Sequence, residues 1–131
     1  GLLGVSGLSN DMRKLLEAEA AGNERAKLAV DMFCYRLRKY IASYVGALGG
    51  LDALVFTGGI GENAAAVRER SVAGLLAMGV AIDPAANVQA RGREADIAPP
   101  GPGCRVLVIP TNEELLIARD TYRIVRGLPL A

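Results

Sequence analysis

The chain has 131 residues, room for one domain and no more. Hydrophobic residues make up 51% of it, which argues for a buried core and against disorder. A formal net charge of +1, scarce aromatic residues and no Trp exclude a nucleic-acid surface, which needs clustered basic charge or stacking platforms.

Residues 1–9 are rich in Gly and Ser and read as a loop. Gly1-Leu2-Leu3-Gly4 lacks the basic start of a signal peptide, and no stretch approaches the ~20 apolar residues of a membrane span. The chain opens without Met and reads as the interior of something longer. Ser9, Asn10 and Asp11 are candidate N-caps for a first helix over residues 11–21, which Gly22 ends. A second, longer helix is predicted over residues 24–48, because Ala26, Ala29, Val30, Phe33, Leu37, Ile41, Tyr44, Val45 and Leu48 recur at three and four; Gly49-Gly50 closes it. Cys34 lies in this helix and Cys104 opens a later strand-like run. Neither belongs to a CxxC pair, and there is no His to complete a zinc site, so both read as reduced, buried thiols of a cytoplasmic protein.

Residues 51–57 (LDALVFT) read as a buried parallel strand. Gly58-Gly59-Ile60-Gly61-Glu62-Asn63 reads as a turn into a helix that continues to about Met78. Val80-Ala81-Ile82 is a short strand candidate. Residues 84–103, with four prolines and several charges, read mostly as a loop. Residues 105–109 (RVLVI) form another strand, and a last helix runs over residues 112–125, ended by Gly127-Leu128-Pro129. Helices alternating with short apolar strands give an α/β class with a mainly parallel sheet. Three strands are few for such a sheet, a second sign of a piece of a larger domain.

Strand, glycine turn and helix together suit a phosphate or nucleotide. Glycines allow close backbone approach, and the helix start presents free N–H groups. The plainer alternative is a tight turn with Asn63 as N-cap. A third reading is a dinucleotide fold holding NAD. Residues 59–64 fit G-x-G-x-x-A, and Asp83 follows about 20 residues on, where a ribose-binding carboxylate would sit. Against it, Glu62 would lie beside a pyrophosphate, and the fingerprint usually stands at the start of its domain.

Three motifs go further. Gly4-Val5-Ser6-Gly7 with Ser9-Asn10-Asp11-Met12-Arg13, VFTGGIGEN at residues 55–63, and VIPTNEELLIARDT at residues 108–121 resemble the acetate kinase family in order and spacing. Propionate kinases share the pattern. The resemblance implies an actin-like ATPase fold, shared with sugar kinases, actin and heat-shock chaperones, in which residues 1–131 are the C-terminal portion of the nucleotide-binding domain. It implies transfer of the γ-phosphoryl group of ATP to acetate, giving acetyl phosphate and ADP, with magnesium or manganese, in a homodimer. Tyr40 and Tyr44, one turn apart on the long helix, are a candidate dimer face, although such a stripe also suits the helix's own core.

By the same resemblance, Asp11, Met12 and Arg13 match a segment that contacts the adenosine. Gly59, Ile60, Gly61, Glu62 and Asn63 match a second nucleotide segment, and Glu113 matches a metal-associated glutamate. The residues suit these roles. Glycines let backbone lie against a nucleoside, Asn63 and Asp11 can hydrogen-bond to base or ribose, Arg13 can stack or pair with phosphate, and a carboxylate suits a hard cation. Taken alone, Arg13 also reads as a solvated arginine, Glu113 as an ordinary first-turn acid, and Thr111 with Glu114 as a capping box. No catalytic residue is assigned. The family's phosphate cage draws on arginines and histidines from other segments, and this chain has no His, so it is expected to be inactive alone.

Overall fold

The computed structural model describes residues 1–129, the side chain of Glu113 excepted, and alternates helices with short strands. The opening segment, expected as a loop, is a helix, α1 (Leu2–Ser6). Leu2 and Val5 turn onto a hydrophobic cluster, and that burial overrides the glycine content. The next two helices follow the expected bounds. In α2 (Met12–Ala20) the Asp11 side chain accepts from the Arg13 N–H at 2.9 Å. In α3 (Glu24–Leu48) Asn23 accepts from the Ala26 N–H, and Gly49, at φ 74°, closes the C-terminus. Over 25 residues α3 is roughly 37 Å long at ~1.5 Å per residue. Its first half buries Ala26, Ala29, Val30 and Cys34 in one cluster with Met12 and Leu15 of α2. Ile41 joins a second cluster around the sheet.

The sheet has the order β1-β3-β2. β1 (Ala53–Phe56) pairs in parallel with β3 (Arg105–Val108), Ala53 opposite Arg105 and Phe56 opposite Val108. β2 (Ala95–Asp96) adds a short antiparallel edge to β3, so the sheet is mixed, with its longer pairing parallel. Val106 and Val108 are fully buried, which is why the run RVLVI reads as a strand.

Between the strands the expected glycine turn is itself a helix, α4 (Gly58–Asn63), and the helix expected to reach Met78 stops as α5 (Ala65–Val72), followed by a short 3-10 turn at Leu76–Met78. Val80–Ile82 is not a strand. Val80 bonds back to the Leu75 carbonyl at 3.3 Å and buries its side chain, so its apolar character reflects core packing alone. The proline-rich excursion contains α6 (Pro84–Gln89), capped by the Asp83 carboxylate on the Ala86 N–H at 2.7 Å, as well as β2. Pro84 sits in the first turn, where proline favours a helix. The last helix, α7, runs Glu113–Val125. Both cysteines are free and buried, and burial pushes both thiols up, as expected of reduced core residues. Among the described residues no helix is long and apolar enough to cross a membrane.

Candidate functional site

In the helix formed by the six residues GGIGEN, two of the three glycines solve different steric problems. Chain leaving β1 is extended at Thr57, and Gly58, at φ 69°, redirects it as L side chains rarely can. Gly61 packs against the strand end: a Cβ there would stand 3.1 Å from the Phe56 carbonyl carbon. Gly59 has open space where a Cβ would be. Asn63 does not cap α5; its amide donates back to the Gly59 carbonyl at 3.0 Å, and Ala64 is the cap position.

α4 and the start of α2 border one cleft of about 780 Å3. Asp11, Met12, Arg13, Gly59, Ile60 and Asn63 all line it, so the structure brings together two segments almost fifty residues apart in sequence. Their contributions differ. Met12 is a core residue at 4% exposure, and Ile60 packs on the same cluster, so these two form a floor. Asp11 spends one carboxylate oxygen on its cap, and the other lies 3.8 Å from the Arg13 guanidinium. The Arg13 side chain is 74% exposed.

Gly61 and Glu62 are not brought to this cleft. Gly61 lies beneath, on Phe56. Glu62 points the other way, its Oε1 accepting from the backbone N–H and the hydroxyl of Thr111, both at 2.8 Å. Those two bonds hold its carboxyl below the usual glutamate range.

The Thr111 hydroxyl is therefore committed to Glu62, and no capping box forms. Asn112 caps α7, accepting from the Leu115 N–H at 3.0 Å. Glu114, expected in a structural role, lines a second cleft of about 410 Å3 with Gly58, Gly59, Thr111 and Asn112. Gly59 borders both clefts. Glu113 opens α7, and its side chain lies outside the described residues. Among the described residues no three His, Cys, Asp or Glu side chains cluster as a metal cage. Magnesium asks for less, one or two carboxylates with water and phosphate oxygens, so the acidic pair opening α7 fits it by chemistry.

Two arginines escaped the motif reading. Arg91 lines the larger cleft from the segment after α6. Arg68, in α5, is fully buried and bonds the carbonyls of Gly61 and Glu62. The available signal for Arg68 was its spacing, one turn before the buried Val72, which puts it on the inward face. The dinucleotide reading does not survive. Residues 59–63 lie within a helix, the next segment is no strand, and Asp83 caps α6 with its side chain.

The profile of the acetokinase family matches residues 1–119. The acetate kinase of Heliobacterium modesticaldum is 54% identical over 127 residues, covering 97% of this chain and 32% of that protein. The crystal structure of Porphyromonas gingivalis acetate kinase superposes with TM-score 0.86 at 46% identity, over 95% of this chain and 31% of that one. A propionate kinase from Francisella tularensis subsp. tularensis gives TM-score 0.80 at 44% identity, over 92% and 30%. The chain thus spans about a third of the length of the relatives it matches. Its α/β architecture is part of the actin-like ATPase fold of those kinases, and the chain belongs to the acetokinase family.

Proposed function

We propose that these residues are the nucleotide- and metal-binding segment of an acetate kinase, the C-terminal portion of its nucleotide-binding domain. The observation that carries this reading is the single cleft bordered by Asp11–Arg13 and by Gly59, Ile60 and Asn63. In it the bare Gly59 backbone and the Ile60 floor take the flat face of an adenosine. The Asn63 amide, already held by the Gly59 carbonyl, and the free Asp11 oxygen address ribose or base edges. Arg13 supplies an exposed guanidinium for ring or phosphate. Gly61 and Glu62 serve indirectly, as packing and as a tie to Thr111. Glu113 is the proposed metal carboxylate, with Glu114 beside it on the adjoining cleft. Magnesium or manganese, when bound, neutralises phosphate charge.

The reaction proposed for the whole protein is reversible phosphoryl transfer from ATP to acetate or, as the name of the Francisella relative suggests, propionate. The chain has no His to place around a transferring phosphoryl group, so by itself it binds without turnover. A cytoplasmic location and a homodimer belong to the same proposal; for the latter, α3 exposes Tyr35, Tyr40 and Tyr44.

Thermal shift of the purified chain tests the binding. ADP with magnesium at a hundred times its Kd should stabilise by about 2.7 kcal/mol, and NAD should give no comparable shift. Arg13→Ala should weaken the ADP response. No shift with ADP, an equal shift with NAD, or acetyl phosphate formation above a no-protein control would each overturn part of the reading.

A further inference from the structure

Arg68 is 0% exposed, yet no carboxylate pairs with it among the described residues. Its Nε donates to Asn87 Oδ1 at 2.8 Å. One terminal nitrogen donates to the carbonyls of Gly61 at 2.7 Å and Glu62 at 3.0 Å, the other to those of Asn87 at 2.7 Å and Ala90 at 3.1 Å. All five guanidinium N–H groups are thereby used. Apart from Asn87 Oδ1, the acceptors are of one kind, backbone carbonyls. Gly61 and Glu62 close α4; Asn87 and Ala90 close and cap α6. Helix ends leave such carbonyls without partners, and they carry the negative end of the peptide dipoles. A buried cation is stabilised there without a counterion.

The two helix ends that Arg68 joins lead to two parts of the same cleft. α4 presents Gly59, Ile60 and Asn63, while Ala90 passes directly to Arg91, which also lines it. The Gly92 N–H reaches the Glu62 carbonyl at 3.4 Å, following the same path. A buried ion pair is often replaceable as a whole by apolar residues, but Arg68 has no such partner among the described residues to be replaced with. No apolar residue can hold two sets of helix-end carbonyls at a fixed spacing. Resting on the nucleotide reading above, we propose that Arg68 is a positioning residue: it clasps α4 to the end of α6 and so delivers Arg91 to the cleft as a further guanidinium contact for the nucleotide.

Hydrogen exchange and ADP titration of the whole chain test this together. In Arg68→Lys, segments 58–64 and 86–93 should exchange faster in concert while α3 is unchanged. The Kd for ADP should rise about tenfold, the factor expected when the competent arrangement falls to about a tenth of the population. Asn87→Ala, which removes one acceptor, should move both readouts the same way by less, and it carries the test if Arg68→Lys does not fold. Arg91→Ala should raise the Kd without loosening either segment. Arg70→Met is the control. Its guanidinium binds Glu19 and Asp31 away from the cleft, so it should lower the melting temperature and change neither readout. If Arg68→Lys or Asn87→Ala behaves like Arg70→Met, Arg68 is a plain stabiliser and the proposal fails. If the wild type holds no ADP while both segments still loosen in concert, the clasp stands and the nucleotide reading falls.

Discussion

Adding one methyl group at Gly61 and one at Gly59 should have opposite effects, because the two glycines are bare for different reasons. At Gly61 a Cβ would meet the Phe56 carbonyl carbon at 3.1 Å and its Cβ at 3.4 Å. That neighbour is backbone, anchored by the Ile109 N–H on the Phe56 carbonyl at 2.9 Å, and it cannot swing aside. Overpacking of this kind costs about 1–3 kcal/mol, against which alanine recovers roughly 0.5–1 kcal/mol of helix propensity. The net loss for Gly61→Ala is about 0–2.5 kcal/mol, a fall in melting temperature of up to roughly 10 °C for a domain of this size. Gly59 has no heavy atom within 4 Å of its would-be Cβ, and its φ is not positive. Gly59→Ala should therefore keep the propensity gain, about 0.5–1 kcal/mol, and melt slightly higher than wild type. Its methyl group, however, stands where two clefts meet, so ADP affinity should drop. Melting curves with and without magnesium ADP separate the pair. A destabilised Gly59→Ala, or one that binds ADP like wild type, would refute the assignment of its open face to ligand. A Gly61→Ala that melts higher would refute the packing argument.

Two further outcomes concern the junction of α4 with α7. The Glu62 carboxyl is held below its ordinary value of 4.5 by Thr111, so its contribution is whole above that pH and lost as pH falls through the depressed value. The Thr111 amide resonance should follow that acid titration, and an amide shift that stays flat would exclude the tie. Asn112→Ala should cost about 0.5–2 kcal/mol as a lost N-cap, whereas Glu114→Ala should leave stability near wild type and weaken magnesium-dependent ADP binding. Urea melts that find Glu114→Ala the more damaging would restore the capping box.

What the sequence disclosed was local. α2 and α3 were legible to within a residue at each end, because capping residues before α2 and the glycines after both helices carry their own start and stop chemistry. α4 was hidden because glycine is a poor helix former; only contact with the end of β1 explains Gly61, and that contact is tertiary. Pro84 misled in the same way, marking a break that was in fact a helix start. For the cleft, chemistry-bearing residues could be named from motifs, but not their directions. Glu62 faces Thr111, Met12 faces the core, and Thr111 serves Glu62 in place of a cap, each decided by neighbours distant in sequence. Arg68 belongs to no motif, since four of its five bonds go to backbone carbonyls that any residue supplies and only the fifth to a side chain, that of Asn87.

The long helix α3 is seated at one end in the cluster that floors the cleft and near the other in the cluster around the sheet. A rigid rod shared by two cores denies them thermodynamic independence. Freeing either cluster strips α3 of half its buried face, and a helix holds little stability of its own without such packing. The cleft floor and the sheet therefore stand or melt as one cooperative unit. A lesion in the sheet, such as a truncated Val106, is felt at Met12 and Ile60 as lost foundation, with no chain of altered contacts needed between them.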